Sequence, residues 1–105
     1  MKNYIPSPQH WKEMFNQYDF YNTKDRVPIN DVKIDRSLFA FNNPVNRNRV
    51  LDMLLNFDHE AWMPITVNEG HYLLDGQHRL ELAKQLGLEY IDVVIMRNEK
   101  IQQIK

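Results

Sequence analysis

PITVNEGHYLLDGQHRLELAKQLGLEYIDVVIM, residues 64–96, decides the fold. Ile65 and Val67 alternate with Thr66, the period-2 pattern of a half-buried strand. Asn68-Glu69-Gly70 carries turn residues, and His71 to Leu74 gives a second extended segment. Beyond Asp75-Gly76 the period changes. Leu80, Leu82, Ala83 and Leu86 point toward a core from a helix that ends near Gly87, a residue suited to the left-handed conformation past a helix end. Ile91 to Met96 is a nearly continuous apolar run, as expected of a central strand covered on both faces. The order strand, turn, strand, helix, strand predicts an α/β (α+β) domain, a small mixed sheet with flanking helices.

The main chemical signal lies inside this stretch. Asp75-Gly76-Gln77-His78-Arg79 falls where a strand hands over to a helix. A helix start presents unpaired N–H groups and the positive end of the helix dipole, so it suits an anion. Gly76 lacks the Cβ that would hold a phosphate away from the backbone. His78 and Arg79 add side-chain donors, and the planar guanidinium fork matches phosphate oxygens. A phosphate site, for a nucleotide, is the functional expectation. The structural alternative makes Asp75 a plain N-cap and Arg79 a solvated first-turn charge. Unlike a P-loop, the stretch has one glycine and no Gly-Lys-Ser/Thr ending.

Upstream, Ser7-Pro8 is a helix start, with Ser as N-cap and Pro at the first helical position. Trp11, Met14, Phe15 and Tyr18 follow at i, i+3, i+4, i+7, an amphipathic stripe expected to pack on the domain or else to meet a protein partner. Asn22 to Arg26 is polar and reads as a connection. Val27-Pro28-Ile29 opens an extended piece through Val32 and Ile34, with Pro28 pointing to an edge or a strand start. Leu38, Phe39 and Phe41 are expected to plug the core from a loop. After the turn at Asn43-Pro44-Val45-Asn46, residues 47–56 read as a helix that buries Val50, Leu51, Leu54 and Leu55. Arg47 and Arg49 stand in or before its first turn, where cations oppose the dipole, and an anionic ligand would account for them. Asp58, His59 and Glu60 lack the spacing of metal ligands and are expected to form a solvated loop.

The 105 residues fit one small domain. A net charge of −1 gives no global basic excess for nonspecific DNA binding. The chain has no cysteine, which excludes disulfides, thiolate metal sites and cysteine nucleophiles. No apolar run approaches the ~18 residues of a membrane span, and the N-terminus lacks a signal-peptide core. A cytoplasmic protein is expected.

The run from Arg49 to Ile95 resembles the N-terminal domain of ParB proteins and the wider ParB/sulfiredoxin superfamily. The pieces that carry the resemblance, in order, are Leu51 to Leu55, Pro64-Ile65-Thr66-Val67, Asp75-Gly76-Gln77-His78-Arg79, Leu86-Gly87 and Ile91-Asp92-Val93-Val94. Upstream, Pro28-Ile29 with Val32 and Ile34 is similar to the family's first strand, and Asn43-Pro44 with Arg47 to its Asn-Pro…Arg segment. The resemblance spans about residues 27–96. It divides the chain into an amphipathic helical extension (1–25), a ParB/sulfiredoxin-like domain (26–97) and a tail (98–105).

The resemblance implies ATP or CTP binding with Mg²⁺, the phosphates lying against Gly76, Gln77, His78 and Arg79, with Arg47 as a second cationic contact. It implies a slow NTPase or a nucleotide-controlled switch. An alternative is a phosphotransferase in which Asp75 and His78 act catalytically. Another is a non-enzymatic effector, of the phage or mobile-element kind, that captures a partner through its aromatic helix. A homodimer is compatible with each. Nuclease activity lacks a two-metal carboxylate cluster. Gln77 stands where sulfiredoxins carry their catalytic cysteine, which excludes that chemistry. His78 displaces one arginine of the ParB motif and leaves the base preference open. ParB proteins bind DNA through a helix-turn-helix domain after this region, so sequence-specific DNA binding is not expected of this chain alone.

Overall fold

The computed structural model describes residues 3–38 and 44–97. Helix α1 (Gln9–Asn16) leads into strand β1 (Tyr21–Pro28). Helix α2 (Arg47–Leu55), strands β2 (Ile65–Asn68) and β3 (Leu73–Asp75), helix α3 (Gln77–Gln85) and strand β4 (Tyr90–Met96) follow. The strands form one mixed sheet in the order β1-β4-β2-β3. β4 runs antiparallel to β1 and parallel to β2, and β2 pairs antiparallel with β3. The architecture is the small mixed α+β sheet expected. Among the described residues no helix is long and apolar enough to cross a membrane.

β4 is covered on both faces because its side chains alternate between them. Ile91 and Val93, with Ile65, Val67 and Leu73 of the neighbouring strands, meet Val50 of α2 and Leu80, Leu82 and Ala83 of α3 in the main core. Asp92 and Val94 point the other way, and Asp92 is only 1% exposed. Its carboxylate accepts hydrogen bonds from the Tyr4 hydroxyl, from Ser7 N–H at 2.8 Å and from Arg26 N–H at 3.0 Å. Lys12 Nζ lies 3.9 Å from it and 2.9 Å from Asp25. Burial, then the bond to Asp92, pushes the Tyr4 hydroxyl pKa well above the ordinary tyrosine range. Asp92 thus holds residues 4–12 against the sheet.

The same carboxylate explains a bulge. The β1–β4 register shifts by one residue between Lys24 and Val27, and Arg26 takes a φ of 63°. A bulged residue loses its ladder partner. Here Asp92, opposite the bulge, receives the freed N–H. The bulge and the charges of Lys24, Asp25 and Arg26 also blunt β1 as an edge.

Several local expectations change. Asn22 to Arg26 is strand, not connection. β1 is an edge strand, so its polar residues face solvent and leave no apolar alternation to read. Pro28 closes that strand instead of opening one. Ser7 does not cap α1: Pro8 is the N-cap residue, and the Ser7 N–H goes to Asp92. α2 buries Val50 and half-buries Met53, while Leu51, Leu54 and Leu55 are 51%, 39% and 72% exposed. Leu86 is 37% exposed where burial was expected. Gly87 does close α3 with a φ of 76°, and Leu88 N–H reaches back to Ala83 O at 3.0 Å. Phe39 and Phe41 of the expected plug, and the tail 98–105, lie outside the described residues.

Replacing Asp92 with Ala leaves two backbone N–H groups and a tyrosine hydroxyl without their buried acceptor. The expected loss is about 3–5 kcal/mol by urea unfolding, with Asp92→Asn losing roughly half as much because one acceptor oxygen remains.

Candidate functional site

The handover from β3 to α3 requires a glycine for two reasons. Gly76, the N-cap residue of α3, has a φ of 104°, a region L side chains rarely adopt. A Cβ there would also stand 2.8 Å from Ile65 Cγ2 and 3.0 Å from Arg79 Nη2. Gly76 offers no side-chain cap to the helix it starts. The first-turn N–H groups of α3 are therefore left to other acceptors.

Arg79 turns inward from this start. Its Nη1 donates to Met63 O at 3.1 Å and to Pro64 O at 2.9 Å, and Nη2 lies 3.7 Å from Asp75 Oδ2. Burial lowers its pKa, Asp75 raises it, and Arg49 lowers it further. A guanidinium committed to two carbonyls ties α3 to the loop before β2. The loop is held in turn by the N-terminal segment: Trp62 Nε1 donates to Ile5 O at 3.0 Å, and Trp11 Nε1 to Glu60 O at 2.9 Å.

The concave surface lies beside Arg79. Pro44, Val45, Asn46, Arg49 and His78 line a cavity of about 400 Å³. Two helix starts border it, α3 through His78 in its first turn and α2 through its N-cap Asn46. Asn46 caps α2, its side chain accepting from Arg49 N–H at 3.1 Å. The backbone N–H of Asn46 donates to His78 Nε2 at 3.1 Å. That bond requires an unprotonated Nε2, so the proton of neutral His78 sits on Nδ1. Burial lowers the His78 pKa and Arg49 lowers it further. The cavity combines one arginine, a neutral histidine and two positive helix ends, a set that favours an anion.

Of the residues anticipated from sequence, His78 lines the cavity, Gly76 forms the α3 start beside it, and Arg79 braces that start. Gln77 Oε1 accepts from Arg36 Nη1 at 3.1 Å. The Asp75 side chain is 78% exposed and its ion pair is with Arg79. Arg47 is exposed and is not among the lining residues, whereas Arg49 is. Helical spacing distinguishes the two. Arg47 precedes the exposed Leu51 by four residues and shares its face, while Arg49 precedes the half-buried Met53 by four. Among the described residues no three His, Asp or Glu side chains gather as a metal site.

Solved structures share this fold. A structure of the pNOB8-like ParB N-domain superposes with a TM-score of 0.57 at 24% identity, over 78% of this chain and 30% of that one. Its C2221 form gives 0.58 at 21% identity, over 79% and 32%. Sulfiredoxin from Arabidopsis thaliana gives 0.56 at 20% identity, over 78% and 94%. This chain spans about a third of the ParB N-domain chains. No known family's sequence pattern matches the chain, and no curated protein matches it in sequence. The chain has the ParB/sulfiredoxin-like fold.

Two outcomes are expected. Arg79→Lys cannot serve both carbonyls with one planar fork, and it should lower stability by about 2 kcal/mol in urea unfolding. His78 has a lowered folded pKa, so its contribution is full above the unfolded value of 6.5 and is lost as pH falls through the folded pKa. Between pH 7 and pH 5 the wild type should therefore lose more stability than His78→Gln, measured by thermal melting.

Proposed function

We propose that the cavity between the α2 and α3 starts binds a phosphate-bearing ligand, and that the ligand is a nucleoside triphosphate, ATP or CTP. The observation that carries this is that two helix starts border one concave surface lined by Arg49 and His78. The helix dipoles supply partial positive charge, and Arg49 supplies a full one. The neutral His78 offers Nδ1–H as one more donor without the cost of burying a second charge beside Arg49. The resemblance read from the sequence implies the same ligand class, and the fold shared with ParB N-domain structures is consistent with that resemblance.

Magnesium fits as a companion of the nucleotide and not as a resident ion. Asp75 does not line the cavity, so the phosphates and water would hold the ion, as is common for Mg²⁺. Arg79 acts in this reading as a positioning residue: it fixes the α3 start without facing the ligand. The proposal is one of binding. Catalysis by Asp75 lacks geometric support, because its carboxylate turns toward Arg79 and solvent.

Calorimetric titration of ATP, CTP, GTP and ADP with Mg²⁺ tests it. Arg49→Ala should weaken triphosphate binding about tenfold or more, and affinity should fall as salt is raised. A folded wild type that takes up none of the four would overturn the proposal.

A further inference from the structure

One hydrogen bond ties the two helix starts of the cavity together. Asn46, the N-cap residue of α2, donates its backbone N–H to Nε2 of His78, in the first turn of α3, at 3.1 Å. The bond is conditional, because Nε2 accepts only while the imidazole is neutral. A second proton on the ring makes Nε2 a donor, and two N–H groups then meet with no acceptor between them. Arg49 on α2, together with burial, disfavours that proton in the free protein and lowers the His78 pKa. The other charged groups around the ring have their own partners or lie apart. Asp75 and Arg79 pair with each other, and Arg79 also serves Met63 O and Pro64 O. Arg36 reaches Gln77, Glu81 accepts from Gln85, and Arg47 does not line the cavity. Among the described residues, none that lines the cavity is acidic. A carboxylate to hold the second proton is therefore missing from the lining, and an anionic ligand would supply the equivalent charge.

We infer that the cavity is under proton control through His78: the ring takes up a proton as a phosphate-bearing ligand binds, so that binding tightens as pH falls. The inference rests on the reading of the cavity as a phosphate site and adds its regulation. A phosphate oxygen can accept both from the Asn46 N–H and from a protonated Nε2–H. The ligand thus replaces the one bond that protonation breaks, and its charge offsets the repulsion between Arg49 and the imidazolium. A ligand that favours the charged ring raises the His78 pKa. By linkage, the protonated protein then binds that ligand more tightly. Affinity stays at its lower level above the pKa of the bound state, rises as pH falls through it, and levels off below the pKa of the free state. A rise of about one pKa unit on binding corresponds to about tenfold in affinity.

Calorimetric titration of ATP with Mg²⁺ into the full chain, between about pH 8 and about pH 5, tests it against His78→Gln. The amide of that variant keeps an acceptor oxygen but does not titrate, and the comparison cancels the protons that ATP itself exchanges. The ratio of wild-type to variant affinity should rise about tenfold across the series. Nuclear magnetic resonance on the wild type alone supplies a second readout. Without ligand, the Asn46 amide signal should shift together with the titration of the His78 ring, and ATP should raise the His78 pKa. An affinity ratio that stays constant with pH overturns the inference and leaves the phosphate site standing. So does an Asn46 amide that ignores the His78 titration, or a His78 pKa that ATP leaves in place. A folded wild type that binds no ATP at any pH overturns both readings.

Discussion

One buried carboxylate organises a large part of this small protein. Asp92 stands in the middle of the central strand, where a charge is costly unless its oxygens are fully served. Two backbone N–H groups, a tyrosine hydroxyl and a nearby lysine serve them. These partners come from residues 4–12 and 26. The requirement to satisfy Asp92 therefore places the N-terminal segment on the sheet and sets the bulge of the edge strand.

From there a chain of polar contacts runs to the cavity. The N-terminal segment presents Ile5 O to Trp62, and Trp11 on α1 donates to Glu60 O. These bonds hold the loop whose next carbonyls, Met63 O and Pro64 O, receive Arg79. Arg79 fixes the start of α3, and Gly76 lets that start lie close against Ile65. Each link ends on a backbone carbonyl that accepts from a side chain distant in sequence, so the arrangement follows from hydrogen bonding within the protein as much as from any ligand. The cavity is lined by Arg49 and by His78, whose Nε2 accepts from the Asn46 N–H.

The two sides of α2 differ in character. Its start borders the cavity through Asn46 and Arg49, and its outer side carries the exposed leucines. Arg47, read from sequence as a phosphate contact, belongs by helical spacing with the leucines.

The sequence by itself determined the β2-β3-α3-β4 unit, because period-2 and helical apolar patterns, turn residues and Gly87 all act locally there. It also determined that Gly76 and His78 stand at a strand-to-helix handover. It misplaced β1, since an edge strand needs no apolar alternation, and it misread α2, since four adjacent apolar positions do not say which side meets the sheet. Only the tertiary structure decided that Arg79 braces the loop and that Arg49 lines the cavity. Both depend on where carbonyls and helix starts from distant parts of the chain come to lie. Asp92 shows the limit most plainly: in sequence it interrupts an apolar strand, and its role exists only once residues 4, 7 and 26 close around it.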